Sequence, residues 1–190
     1  MNKLLDVVIQ KTNWKKAVLF SLPFVLFQIL INISVTNLLN LTDGNSILDL
    51  KFGYTYNEAL KILNELGANG REYYFTKIVP IDFPFPFSYM LIYFIWIALM
   101  LKYLKITNFC KYSLFLPISA MLFDWIENFG IITMLKKYPD LPEWAVCQSS
   151  IAGILKTVFT IISMTVMVLL FIIFTIKIIK NKMKKEPYCT

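Results

Sequence analysis

The sequence predicts an all-α polytopic membrane protein: four transmembrane helices carrying a short helical extracytoplasmic cap. Three observations lead there. Hydrophobic residues make up 57% of the chain and aromatic residues 16%, and the mean hydropathy is +0.61, whereas soluble domains run nearer roughly 45–50% apolar. The apolar residues gather in runs of the length a membrane helix needs, about 20 residues. Within those runs they do not alternate, so they suit helices that pair their own backbone groups rather than barrel strands.

The first span is read at 17–39, AVLFSLPFVLFQILINISVTNLL. It is longer than the apolar core of a signal peptide and no A-x-A site follows it, so it is expected to be retained. The second is read at 85–101 and the third at 112–135. The fourth, at 144–176, is longer than one crossing needs and is expected to tilt or protrude. The whole chain, 1–190, is read as one membrane domain.

Basic residues set the expected orientation. Lys3, Lys11, Lys15 and Lys16 precede the first span, Lys102, Lys105 and Lys111 lie between the second and third, and Lys177, Lys180, Lys182, Lys184 and Lys185 follow the fourth. Only Asp6 and Glu186 oppose them on those segments, while acids outnumber bases on the alternate loops. Both termini are therefore expected in the cytoplasm. The net charge of +7 then lies against anionic lipid, so no nucleic-acid partner is implied. The abundance of Lys, Asn and Ile fits an AT-rich bacterial genome, which makes a bacterial cytoplasmic membrane the expected location. Cys110 in the loop between the second and third spans, Cys147 near the outer end of the fourth and Cys189 in the tail imply no disulfide framework.

The loop over 40–82 is the only sizeable polar segment. Thr55 and Glu58 have capping-box spacing ahead of a helix whose apolar face is read as Ala59, Leu60, Leu63 and Leu66, with Gly67 and Gly70 as stop signals. Tyr73, Tyr74, Phe75, Phe83, Phe85 and Phe87 read as an interfacial belt. The cap is expected either to lie on the headgroups or to cover a pocket.

The costly residues are Asp124, Glu127 and Asn128, which share one face of the third span at i, i+3, i+4 spacing. At about 1.5 Å per residue, Asp124 lies roughly 16 Å inward from Leu135, and Lys156 roughly 18 Å inward from Trp144. The matched depths predict a Lys156–Asp124 ion pair, with Glu127 left to exchange a proton or bind a cation and Asn128 to orient it. Gln148, Ser149, Ala152, Gly153, Lys156, Thr160 and Ser163 form a small or polar stripe that predicts close packing on the third span. Isolated charge at such depth costs about 2.5–3.5 kcal/mol and tends to mark function. The expected pocket lies between spans two, three and four. Glu127, Asp124 and Asn128 are its candidate catalytic residues, and Lys156, Asp82, Arg71, Tyr74, Tyr89 and Gln148 its candidate binding residues.

Three functions fit such a pocket. One is binding or processing of a lipid-like ligand, the second a proton- or cation-coupled transporter working as a dimer, the third an assembly protein without catalysis. Membrane lipid is the expected partner. The sequence contains no histidine, and no Gly-rich phosphate loop, nucleophile motif or zinc set appears, so no cofactor is implied. Asp124 and Glu127 have the hard oxygen donors that Mg²⁺ takes, but no acidic metal-binding motif surrounds them, and metal binding is not the favoured reading.

The runs GYTYNEALKILNELGANGREYYFTKIVPIDFPFPFSYM, LPISAMLFDWIENFGIITMLKKYPDLP and SSIAGILKTVFT together resemble a widespread, uncharacterised bacterial family of small four-span membrane proteins. The positions carrying the resemblance are Gly70, Arg71, Tyr74, Asp82, Phe85, Pro86, Tyr89, Asp124, Glu127, Asn128 and Lys156, of which the intramembrane Asp-x-x-Glu-Asn element is the most specific. The resemblance implies the four-span architecture and points to the same polar residues. It assigns no reaction.

Overall fold

The computed structural model describes residues 2–42, 47–106 and 109–183. The chain is all-α over these residues, and four helical stretches are long and apolar enough to cross a membrane: Trp14–Leu41, Gly67–Leu104, Cys110–Lys137 and Glu143–Asn181. Lys184, Lys185, Glu186 and Cys189 of the tail lie outside the described residues.

Helix α1 (Asn2–Lys11) is amphipathic and buries Leu5 and Ile9. Asn13 then caps α2 (Trp14–Leu41), its side chain accepting the Lys16 N–H at 2.9 Å. Most of α2 is exposed apolar surface, including Val18, Leu22, Val25, Leu26, Ile29 and Ile33, as a helix against lipid must be.

The cap begins with a 3₁₀ turn at Leu48–Leu50 and continues as α3 (Tyr56–Glu65). The capping box forms as its spacing predicts: Thr55 accepts from the Glu58 N–H, and Glu58 accepts from the Thr55 N–H and hydroxyl. The bonds from Thr55 hold the Glu58 carboxyl below its ordinary value. The buried face of α3 is Ala59, Ile62 and Leu63, with Leu66 beyond its end; Ile62 takes the place expected of Leu60, which is only partly buried. Gly67, at φ +64°, turns the chain as expected, yet a new helix starts at once, α4 (Gly67–Tyr73). Gly70 is not a stop. It sits inside α4 where an added Cβ would lie 2.8 Å from the Thr42 methyl, so its role is close approach to the end of α2.

A π-helical turn at Tyr74–Ile78 and α5 (Val79–Asp82) lead into α6 (Phe85–Leu104). The helical path into the membrane thus begins well before the 85–101 span read from hydropathy. Pro80, Pro84 and Pro86 fall at first-turn or capping positions, where a missing N–H costs nothing. Helix α7 (Phe115–Lys137) and α8 (Glu143–Met183) complete the bundle. At 41 residues, α8 is roughly 60 Å long, about twice the hydrocarbon thickness, so it extends beyond a single crossing.

The densest packing is α7 on α8, followed by α2 on α6 and α6 on α7 and α8. An upper apolar core joins the cap to the C-terminal end of α7 and the N-terminal end of α8 through Leu63, Tyr74, Ile131, Met134 and Ala145. A lower core gathers Ile9, Ala17, Ile97–Leu101, Leu114 and Leu170. Asp124 to Asn128 on α7 and Ser149 to Lys156 on α8 fall between the two along their helices.

Candidate functional site

Small residues bring α7 and α8 into contact at the depth of the charges. A Cβ on Gly130 would lie 2.6 Å from Ser149 Cβ and 2.9 Å from the Ala145 carbonyl, and a Cβ on Gly153 would meet the Glu127 carboxylate. Ser149 is wholly buried and donates its hydroxyl to the Glu127 carbonyl at 2.8 Å. Ser149, Gly153 and Lys156 of the stripe predicted on α8 therefore face α7, while Thr160 lines a cavity towards α2 and α6 and Gln148 is exposed.

Lys156, Asp124 and Glu127 meet in the bundle, but not as the exclusive pair read from depth. Lys156 Nζ is 3.5 Å from Asp124 Oδ1 and 2.5 Å from Glu127 Oε2, so it forms an ion pair with both. Glu127 is wholly buried and Asp124 nearly so. Glu127 is thus engaged by the lysine rather than free, one helical turn being short enough for a long side chain to serve both acids. Tyr89 donates to Asp124 Oδ2 at 3.0 Å, which places it beside the charged cluster.

Asn128 does not orient Glu127. Its amide donates to the Asp82 carbonyl at 3.4 Å, tying α7 to the entry of α6. Arg71 does not guard the mouth either: its guanidinium donates to the Leu63 carbonyl at 2.7 Å and lies 3.8 Å above the Tyr138 ring, fastening the cap to the end of α7. Tyr74 is fully buried and donates to the Asp49 carboxylate.

Asp49 is the site residue that the sequence does not reveal. The 3₁₀ turn Leu48–Leu50 carries it over the bundle, where it joins Asp82, Asp124 and Lys156 in lining a cavity of about 270 Å³. Gln28, Ile31, Asn32 and Val35 of α2 form another wall, so the first span belongs to the pocket along with the other three. Cap residues Ile47, Asp49 and Leu50 complete its lining, so the start of the cap lies over the pocket. A second cavity of about 270 Å³ shares Gln28, Phe85, Asp124 and Lys156 with the first and continues down past Tyr89, Tyr93 and Thr160. Lower on the same three helices, α2, α6 and α8, lies an apolar groove of about 400 Å³ between Ser21, Ile92 and Trp96 on one side and Met167, Phe171 and Ile172 on the other. Trp14 meets Phe174 below it, with ring centroids 6.0 Å apart, closing the seam between α2 and α8.

Among the described residues, no group of three or more His, Cys, Asp or Glu side chains is placed to hold a metal ion. No protein-family model matches the chain, and no curated protein or solved structure matches it either.

Proposed function

We propose that this integral membrane protein binds a lipid-like amphiphile in the seam between α2 and α8. The observation that carries the reading is the order of chemistry along that seam. Charged and hydrogen-bonding groups line the cavity under the cap, tyrosine and threonine the next, and Trp96, Met167, Phe171 and Ile172 the groove below. Lys156 and Phe171 are fifteen residues apart on one helix, roughly 22 Å of rise, a distance that suits an extended apolar chain. A soluble metabolite has no use for the lower groove, and bulk lipid has no use for the buried charges above it.

With both termini cytoplasmic by the distribution of lysines, the polar end lies towards the outer side and the cap is its cover. In this reading Asp124, which lines both upper cavities and is paired with Lys156, is the group that meets the head of the ligand, with Glu127 buried behind it on the same lysine. The resemblance to small bacterial four-span proteins agrees with this placement and leaves the chemistry open.

Native mass spectrometry of gently solubilised protein tests the proposal. The wild-type chain is expected to retain an amphiphile that Met167→Trp, which fills the lower groove, releases. Equal lipid complements in both proteins would contradict it.

A further inference from the structure

We infer that the head group held in this seam is a cation, an ammonium carried on an apolar chain; the inference rests on the amphiphile reading and gives it a ligand class. Among the described residues of the site, four carboxylates face one lysine. Lys156 lies within 4 Å of Asp124 and Glu127 alone among them. Asp49 and Asp82 are in no ion pair among the described residues, and both line the cavity. Asp82 is 9% exposed, and Asp49 Oδ1 is buried without a hydrogen-bond partner. Of the cap's other cations, Arg71 is committed to the Leu63 carbonyl and the Tyr138 ring, and the exposed Lys51 lines a different cavity with Glu58 and Glu65. A buried acid without a counter-charge either holds a proton or costs several kcal/mol by the usual order of magnitude to ionise, and a bound cation removes that cost.

The cavity below supplies the second half of the recognition. Phe24, Phe85, Tyr89 and Tyr93 form a continuous row of rings along its wall, with successive centroids 6.1, 5.6 and 6.4 Å apart. Aromatic faces beside a carboxylate are the setting in which ammonium groups are held, through attraction to the ring quadrupole. A phosphate or carboxylate head would instead enter a cavity lined by three acids, Asp49, Asp82 and Asp124, and by one lysine that is already paired. A divalent metal would need several oxygens converging on one point, which the spacing of these acids does not provide.

Three probes of equal chain length decide the matter: dodecyltrimethylammonium, dodecyl phosphate and dodecanol, titrated below micellar concentration into the full-length protein in lipid nanodiscs and read by calorimetry. The ammonium probe is expected to bind saturably and the phosphate probe at least about tenfold more weakly. Asp124→Asn should weaken ammonium binding about tenfold or more; Lys156 keeps Glu127 in that variant, so no lysine is stranded. Phe24→Leu, which leaves every charge in place, should weaken it by about two- to thirtyfold. Saturable binding of the phosphate or alcohol probe at equal or higher affinity overturns the cation assignment and leaves the amphiphile reading standing. Failure of all three to bind saturably overturns both.

Discussion

Lys156 carries the electrostatics of the site, and its nearer partner is Glu127, at 2.5 Å, rather than Asp124, at 3.5 Å. Asp124 keeps the Tyr89 hydroxyl if the lysine is lost; the Glu127 carboxylate has no hydrogen-bond partner to fall back on among the described residues. Lys156→Met should therefore destabilise the protein by about 3–5 kcal/mol, the cost of stranding buried charge. Adding Glu127→Gln should recover more of that loss than adding Asp124→Asn, as read by unfolding in a denaturing-detergent titration. The opposite ranking would mean that Asp124 is the main partner. Depth along regular helices was legible from the sequence because helical rise is constant, and it brought Asp124, Glu127 and Lys156 together correctly. It could not rank two acids one turn apart, because that depends on how a flexible lysine side chain lies. Asp49 escaped notice for a different reason. It sits in a short 3₁₀ turn with no periodicity to give it a depth or a face, and its arrival at the cavity is a tertiary event.

At the scale of elements, the α7–α8 pair is the rigid frame on which the charges are mounted. Its closeness depends on Gly130 and Gly153, which make different contacts. Gly130 faces backbone and the base of a side chain, the Ala145 carbonyl and Ser149 Cβ, neither of which can swing aside. Gly153 faces the end of the Glu127 side chain, which can move at the expense of its ion pair. Gly130→Ala is therefore expected to cost about 1–3 kcal/mol of stability, with Gly153→Ala at the lower end of that range. Thermal unfolding in detergent checks this, and a Gly130→Ala variant as stable as the wild type would show that the helices are not held at this crossing. The small-residue stripe on α8 was readable as a pattern of spacing. The cap was only partly readable. Its capping box and amphipathic helix follow local rules, while Arg71 and Gln148 are misassigned by sequence because a charged or polar residue near a membrane boundary has several destinations. Only packing shows that Arg71 lies on Tyr138 and that Gln148 points outward.

At the scale of the whole molecule, α2 packs along α6 and α7 packs on α8, and the two pairs leave a seam between α2 and α8. The cap covers this seam at one end and the contact of Trp14 with Phe174 closes it at the other. The four spans were legible as runs of apolar residues, but the seam was not, because an apolar face that borders a groove reads the same as one that borders lipid. The most direct test of the account is photo-crosslinking with an amphiphile carrying a diazirine at mid-chain, in nanodiscs, followed by identification of the labelled peptides. The account predicts labelling that saturates and concentrates at Ser21, Ile92, Trp96 and the Met167–Ile172 segment, and that a cap-side variant such as Asp124→Asn reduces. Labelling spread evenly over the outward faces of α2 and α8, at exposed residues such as Val18, Leu22, Val25 and Met164, would contradict it.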